Sequence, residues 1–208
     1  MPPFVPKLVL FDFDGTLVEF HHEYLFSQTE RILNLLEHPP VSRSVLDQAF
    51  RAFDFFRFVG AGNRESFIES FWREFDWDSF PQPKPFSCVE QMFVELRARG
   101  ISSAIVTARC VEAERLRQEI AHTGILEHVI DVHTRAGEHV HWTDKRETIE
   151  KACREFGVTP GEALMVGDIP TDITSAREVG IGRAVAVESG GILTPVLSES
   201  SPDAILPD

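Results

Sequence analysis

Apolar residues fall into two rhythms along the 208-residue chain. Short, nearly unbroken apolar and β-branched runs at KLVLF (7–11), SSAIVT (102–107), VIDVH (129–133), ALMVG (163–167) and RAVAV (183–187) predict strands. Continuous apolar character suits strands covered on both faces, as in a parallel sheet. Between the runs lie segments at 87–99, 109–122, 145–157 and 172–179 whose apolar residues recur at helical spacing. Gly100, Gly157 and Gly180 stand where helices of this length would stop. Strand and helix alternating in this way predict an α/β fold with a doubly wound, Rossmann-like parallel sheet.

Residues 18–85 interrupt the alternation. They hold no convincing strand and three helix-periodic stretches, 20–37, 43–59 and 64–76. In the second, Leu46, Ala49, Phe50, Phe53 and Phe56 share a face; in the third, Ile68, Phe71, Trp72 and Phe75 do. Twelve of the seventeen phenylalanines lie between Phe20 and Phe86, the composition of a helical-bundle core rather than of an aromatic ligand cage. HPP (38–40), VGAG (59–62) and PQPKP (81–85) supply the breaks. The pattern predicts a core domain formed by 1–17 and 86–208, with an all-helical domain inserted at 18–85.

A net charge of −13 argues against a general nucleic-acid or anionic-membrane surface, although a bound cation could still bring in an anionic substrate. Cys88, Cys110 and Cys153 form no C-x-x-C pair, which fits structural thiols in a reducing compartment. MPPFVPK at the N-terminus lacks the layout of a signal peptide, and no apolar run is long enough to span a bilayer. The expected location is the cytoplasm.

The chemistry gathers at strand ends. In an open α/β sheet the loops at the carboxyl ends of the strands meet at one edge and form the site. The first strand ends in Asp12 and Asp14, the second in Thr107, Ala108 and Arg109, and the fourth in VGDIPTD with Asp168 and Asp172. Lys145 opens the helix leading into the fourth. Each has an ordinary explanation alone: an Asx turn at Asp12–Gly15, a Thr107 helix cap, a solvated Lys145 behind an Asp144 cap, an Asp172 N-cap. Four carboxylates on one edge, however, would repel strongly without a cation. Oxygen ligands suit Mg²⁺, and a metal, a hydroxyl and an ammonium would surround a space suited to a phosphoryl group. A carboxylate attacks phosphorus competently when the transferred charge is neutralised.

DFDGTL (12–17), the AIVT strand end (104–107), Lys145 and GDIPTD (167–172) resemble the four motifs of the haloacid dehalogenase superfamily, and the 23-residue step from Lys145 to Asp168 is typical of it. The resemblance covers 7–17 and 86–190 and is nearest to phosphoglycolate-phosphatase-like members. It implies that Asp12 is the nucleophile that becomes an aspartyl-phosphate, and that Asp14 is first general acid, then general base. It further implies that Thr107 and Ala108 bind the phosphoryl group and that Lys145 neutralises Asp12. Mg²⁺ would be held by Asp12, the Asp14 carbonyl and Asp168, with Asp172 close by or acting through water. An aspartate at position 14 separates phosphatases and phosphomutases from true dehalogenases. The helical insert resembles the family's cap after the first motif, since about 38 residues between Thr107 and Lys145 leave no room for the larger α/β cap. FRFVGAGNRESF (56–67) loosely resembles a substrate-specificity loop, in which Arg64 or Arg57 would touch substrate, or else both stand as surface arginines at helix ends.

The resulting expectation is a Mg²⁺-dependent phosphatase acting on a small phosphorylated metabolite, with a sugar-phosphate phosphomutase or a non-catalytic binding protein on the same fold as rivals. Several other features read as structural. GAG (60–62) and GIG (180–182) complete no nucleotide-binding pattern and read as turns. His139 and His141 read as a surface loop, and His21 and His22 as a solvated helix start. Arg109 has two readings, a substrate contact or a helix-end cover.

Overall fold

The structure, a computed structural model, describes residues 4–60, 64–135 and 143–207, and the histidines at 139 and 141 lie outside it. The chain divides into two compact units, one formed by Met1–Glu19 with Pro83–Asp208 and the other by Phe20–Gln82.

In the first unit the strands β1 (Leu8–Phe11), β2 (Ser102–Val106), β3 (Asp131–His133), β4 (Ala163–Gly167), β5 (Arg183–Val187) and β6 (Ala204–Leu206) form one sheet in the order β3-β2-β1-β4-β5-β6. Every neighbouring pair is parallel. The central β1 is buried along its whole length, as its unbroken LVLF run requires. Phe11 registers with Ile105 on one side and Val166 on the other, so β1, β2 and β4 finish level. The strand order runs outward in opposite directions from β1 and β4, and a crevice therefore opens above their carboxyl ends. The helices α4 (Val89–Ala98), α5 (Ala113–Ile120), α6 (Arg146–Glu155) and α7 (Pro170–Val179) connect the strands.

The second unit contains α1 (His22–Leu35), α2 (Arg43–Arg51) and α3 (Arg64–Glu74). Phe26, Phe50, Phe56, Phe67, Phe71 and Phe75 are buried in it, with edge-on pairs such as Phe56–Phe71 at 5.1 Å between centroids.

The structure corrects several sequence expectations. The helix read over 43–59 ends at Arg51, because Phe53 takes a left-handed φ of 52° and the Asp54 N–H donates back to the Ala49 carbonyl. Without glycine that turn costs about 1–2 kcal/mol, offset by burying Phe50 and Phe56 on either side. The helix read over 109–122 begins only at Ala113, and the strand read from 129 begins at Asp131. α8 (Thr194–Glu199) and β6 had no counterpart in the sequence reading. His22 is half-buried rather than fully solvated, its ring 4.5 Å from that of Phe50. Among the described residues, no helix is long and apolar enough to cross a membrane.

Candidate active site

Two strand ends and two helix starts bring the acids and the lysine together. Asp12 leaves β1 with its N–H donating to the Val166 carbonyl at 2.9 Å, which ties the turn to β4. Asp168 follows β4 directly, and Asp172 sits in the first turn of α7. All three are buried, and each offers a carboxylate oxygen within 4.8 Å of the others'. At an effective dielectric of about 20, each such pair repels by at least about 3 kcal/mol.

Lys145 answers part of that charge. It is 1% exposed, not the solvated residue its sequence position allowed, and its Nζ lies 2.6 Å from Asp12 Oδ1 and 2.5 Å from Asp172 Oδ1. Burial pulls its ammonium downward, but Asp12 and Asp172 together outweigh burial and hold it above the usual lysine range. The Lys145 N–H donates to Ser175 Oγ at 3.1 Å, so α7 fixes the lysine through its backbone as well as through Asp172. The second oxygen of Asp172 accepts the Ile169 N–H at 3.1 Å.

One ammonium does not balance three carboxylates. Burial pushes the Asp168 carboxyl well above the ordinary range, with Asp12 and Asp172 pushing the same way. Burial likewise pushes Asp172 up to about 7, Asp12 adding to the rise and Lys145 opposing it. A buried, oxygen-only donor set with surplus negative charge fits a hard divalent cation such as Mg²⁺.

Asp168 is also gripped from outside the predicted set. Thr16 Oγ1 donates to its Oδ1 at 2.9 Å. Gly15, at φ 82°, passes so close that a Cβ there would stand 2.5 Å from Asp168 Oδ2. The loop after β5 closes the other side, where a Cβ at Gly190 would stand 1.7 Å from the same oxygen. Ser189 Oγ donates to the Gly15 carbonyl at 2.6 Å and joins the two loops. Thr16, Ser175, Ser189 and Gly190 were missed in the sequence. The signal for the last two was their place in ESGG (188–191), directly after the carboxyl end of the fifth strand.

Thr107 is buried, and its Oγ1 accepts the Arg109 N–H at 3.3 Å, leaving the hydroxyl proton to donate elsewhere. It caps no helix, since α5 starts six residues later. Ala108 lies between them, half-buried. Asp14 belongs to the same edge, and its carboxylate meets the Arg109 guanidinium. In the second unit Arg64 pairs with Asp54, and Arg57 Nη2 donates to Gln48 Oε1 at 3.2 Å.

A buried carboxylate beside an ammonium, a hydroxyl and an acid cluster that could hold a cation are together a set suited to phosphoryl transfer. The chain belongs to the haloacid dehalogenase-like hydrolase family, whose model matches residues 9–186. Its relatives are named as phosphatases and pyrophosphatases, and the chain is a hydrolase of that phosphatase type. It is 28% identical over 205 residues to a PpaX of Clostridium perfringens, covering 95% of this chain and 91% of that one. It is 23% identical over 193 residues to the phosphoglycolate phosphatase of Aquifex aeolicus, covering 87% and 84%. A haloacid dehalogenase-like family hydrolase from Streptococcus pneumoniae shares the fold, with a TM-score of 0.74 at 18% identity over 97% of this chain and 93% of that one.

Proposed function

We propose that the protein is a Mg²⁺-dependent phosphatase that hydrolyses a small phosphate monoester through an aspartyl-phosphate on Asp12. The observation that carries this reading is Lys145 Nζ seated between Asp12 and Asp172, with Asp168 completing an acid cluster that one lysine leaves under-neutralised.

An Asp12 oxygen attacks phosphorus as the bond to the leaving oxygen breaks, and that oxygen takes its proton from Asp14. Water then attacks the phosphorus of the aspartyl-phosphate, giving its proton to Asp14, and the electron pair of the broken bond returns to the Asp12 carboxylate. Thr107 donates its hydroxyl proton to a phosphoryl oxygen, with the backbone at Ala108 beside it, and Lys145 offsets the charge on Asp12 and on its phosphorylated form. Asp12, the Asp14 carbonyl and Asp168 would hold Mg²⁺, with Asp172 adjacent; when bound, the ion supplies charge neutralisation to the transferring group. The helical insert, Phe20–Gln82, would serve as a cap that sets substrate choice, with Arg64 as its substrate contact. The protein would act on a phosphorylated metabolite in the cytoplasm.

The test is phosphate release from a panel of phosphate esters and pyrophosphate, in Mg²⁺ or EDTA, with wild type beside Asp12→Asn. Metal-dependent release that disappears in the variant is the expected result. Release that survives Asp12→Asn overturns the mechanism; an isomerised sugar phosphate in place of free phosphate makes the protein a mutase. A panel with no turnover leaves the binding-protein reading in its place. For the insert, an unchanged KM in Arg64→Ala with the best substrate removes Arg64 from the substrate contacts.

A further inference from the structure

We infer that Arg109, braced by Glu119, is the residue that aims the Asp14 carboxylate for proton transfer; this rests on the phosphatase reading above and deepens it. Arg109 lies two residues beyond Thr107 and 95 residues from Asp14 in sequence. Its Nε reaches Asp14 Oδ2 at 2.7 Å and its Nη2 reaches Asp14 Oδ1 at 2.6 Å, two parallel charge-assisted bonds. Its Nη1 donates to Glu119 Oε2 at 2.7 Å, from the last turn of α5. The arginine is 4% exposed, and its guanidinium carbon lies 5.2 Å from the centroid of the fully buried Phe13 ring.

A guanidinium gripped this way is a fixed plane, and a fork-to-fork pair transmits that plane to the carboxylate. Asp14 stands in a turn, where a short side chain would otherwise rotate. Each Asp14 oxygen spends one lone pair on Arg109 and keeps another for the leaving oxygen or the water. The Asp14 side chain remains 14% exposed, which gives that second lone pair an open side. The Glu119 carboxylate also accepts from Arg115 Nε at 3.0 Å, so the brace is itself held on the α5 surface. A burial this complete for an arginine serving merely to cover a helix end would need no bidentate contact with a residue of the first motif. Arg109 is therefore a positioning residue: it acts through Asp14 and touches no reacting atom.

The test separates proton transfer from everything else by the leaving group. p-Nitrophenyl phosphate departs without a proton, whereas phenyl phosphate leaves far better with one. kcat/KM reports events up to formation of the aspartyl-phosphate, so the shared hydrolysis step does not enter it. Arg109→Gln is expected to lower kcat/KM for phenyl phosphate by about 100-fold or more and for p-nitrophenyl phosphate by only a few-fold, because general acid catalysis contributes on the order of 10²–10⁴. Glu119→Gln, which leaves Arg109 in place, is expected to shift the same ratio in the same direction by less. Arg109→Lys restores charge without the fork and is expected not to restore the ratio. Equal loss on both esters, in either Arg109→Gln or a folded Glu119→Gln if the first variant fails to fold, would overturn the inference. Asp14→Asn in the same assay distinguishes its failure from that of the underlying reading. A leaving-group split with Asp14→Asn but not with the Arg109 and Glu119 variants sinks only the positioning role. No split with Asp14→Asn, or no wild-type turnover of either ester, sinks the acid–base role beneath it.

Discussion

Replacing Gly190 with alanine puts a methyl group where the Asp168 carboxylate now sits. The added Cβ would stand 1.7 Å from Asp168 Oδ2 and 2.4 Å from its Cγ, whereas ordinary contact begins at 3.4 Å. One side must therefore retreat by about 1.7 Å. The carboxylate has nowhere to go without cost, since Thr16 holds its Oδ1 at 2.9 Å and Gly15 crowds its Oδ2. The Gly190 loop is tied in turn through Ser189 to the Gly15 carbonyl. Overpacking of this kind costs about 1–3 kcal/mol of stability. A displacement near 1 Å at a catalytic group costs on the order of 100-fold in rate, so kcat/KM is expected to fall about that far and the Mg²⁺ concentration for half-maximal rate to rise. Initial rates of phosphate release against Mg²⁺, read beside thermal unfolding, measure both. Gly161→Ala is the control, because a Cβ there meets nothing within 4 Å, and it is expected to leave both quantities unchanged. A folded Gly190→Ala protein with wild-type rate and metal requirement would show that Asp168 needs no fixed position.

Three further perturbations follow from the same geometry. Lys145→Met leaves buried carboxylates without their ammonium, and in EDTA is expected to lose about 3–5 kcal/mol in urea unfolding, partly recovered with Mg²⁺; unchanged stability refutes the charge argument. Mg²⁺ at 100 times its dissociation constant is expected to stabilise wild type by about 2.7 kcal/mol and Asp168→Asn by far less, measured as the shift in melting temperature. Asp203→Asn probes pH: burial raises the Asp203 carboxyl, but the Ala184 N–H, Arg183 and Arg177 outweigh it and hold it below 3.8. A depressed acid stabilises the fold above its unfolded value and loses that contribution as pH falls through the folded one. The gap between wild type and Asp203→Asn, about 1 kcal/mol at neutral pH given partial exposure, is therefore expected to be full above pH 3.8 and to close below it; a gap constant with pH excludes the charge as its source.

The sheet was legible wherever its strands ran as unbroken apolar stretches, as in LVLF, buried along its whole length, and ALMVG, buried at alternate residues and half-buried between them. β6 was not, because AIL is three residues long at an edge, with Leu206 half exposed. The gathering of Asp12 and Asp168 was legible because a strand end fixes where a side chain stands, whereas Lys145, at a helix start, was legible only through the motif it resembles. Arg109 stayed ambiguous for the opposite reason: its partners, Asp14 and Glu119, lie 95 and 10 residues away, and neither separation carries a local signal. Glycine spacing told nothing about Gly190, whose constraint is the nearness of Asp168, not a turn. The end of α2 was misread because Phe53 adopts a glycine-like conformation that no sequence rule assigns to phenylalanine.

The central position of β1 has a consequence for how the chain is made. Its two sheet neighbours are paired from Ser102 and Ala163 onward, both partners of Leu8. At about 5–20 residues per second, the ribosome needs on the order of 5–20 s after Leu8 to reach the first partner and longer still for the second. During that interval the most apolar strand of the protein has no edge to join, while the whole Phe20–Gln82 unit is synthesised. A sheet whose middle strand precedes both of its neighbours in the chain assembles late and from distant parts. Asp12, at the end of that strand, is thus translated long before the neighbours it has to find.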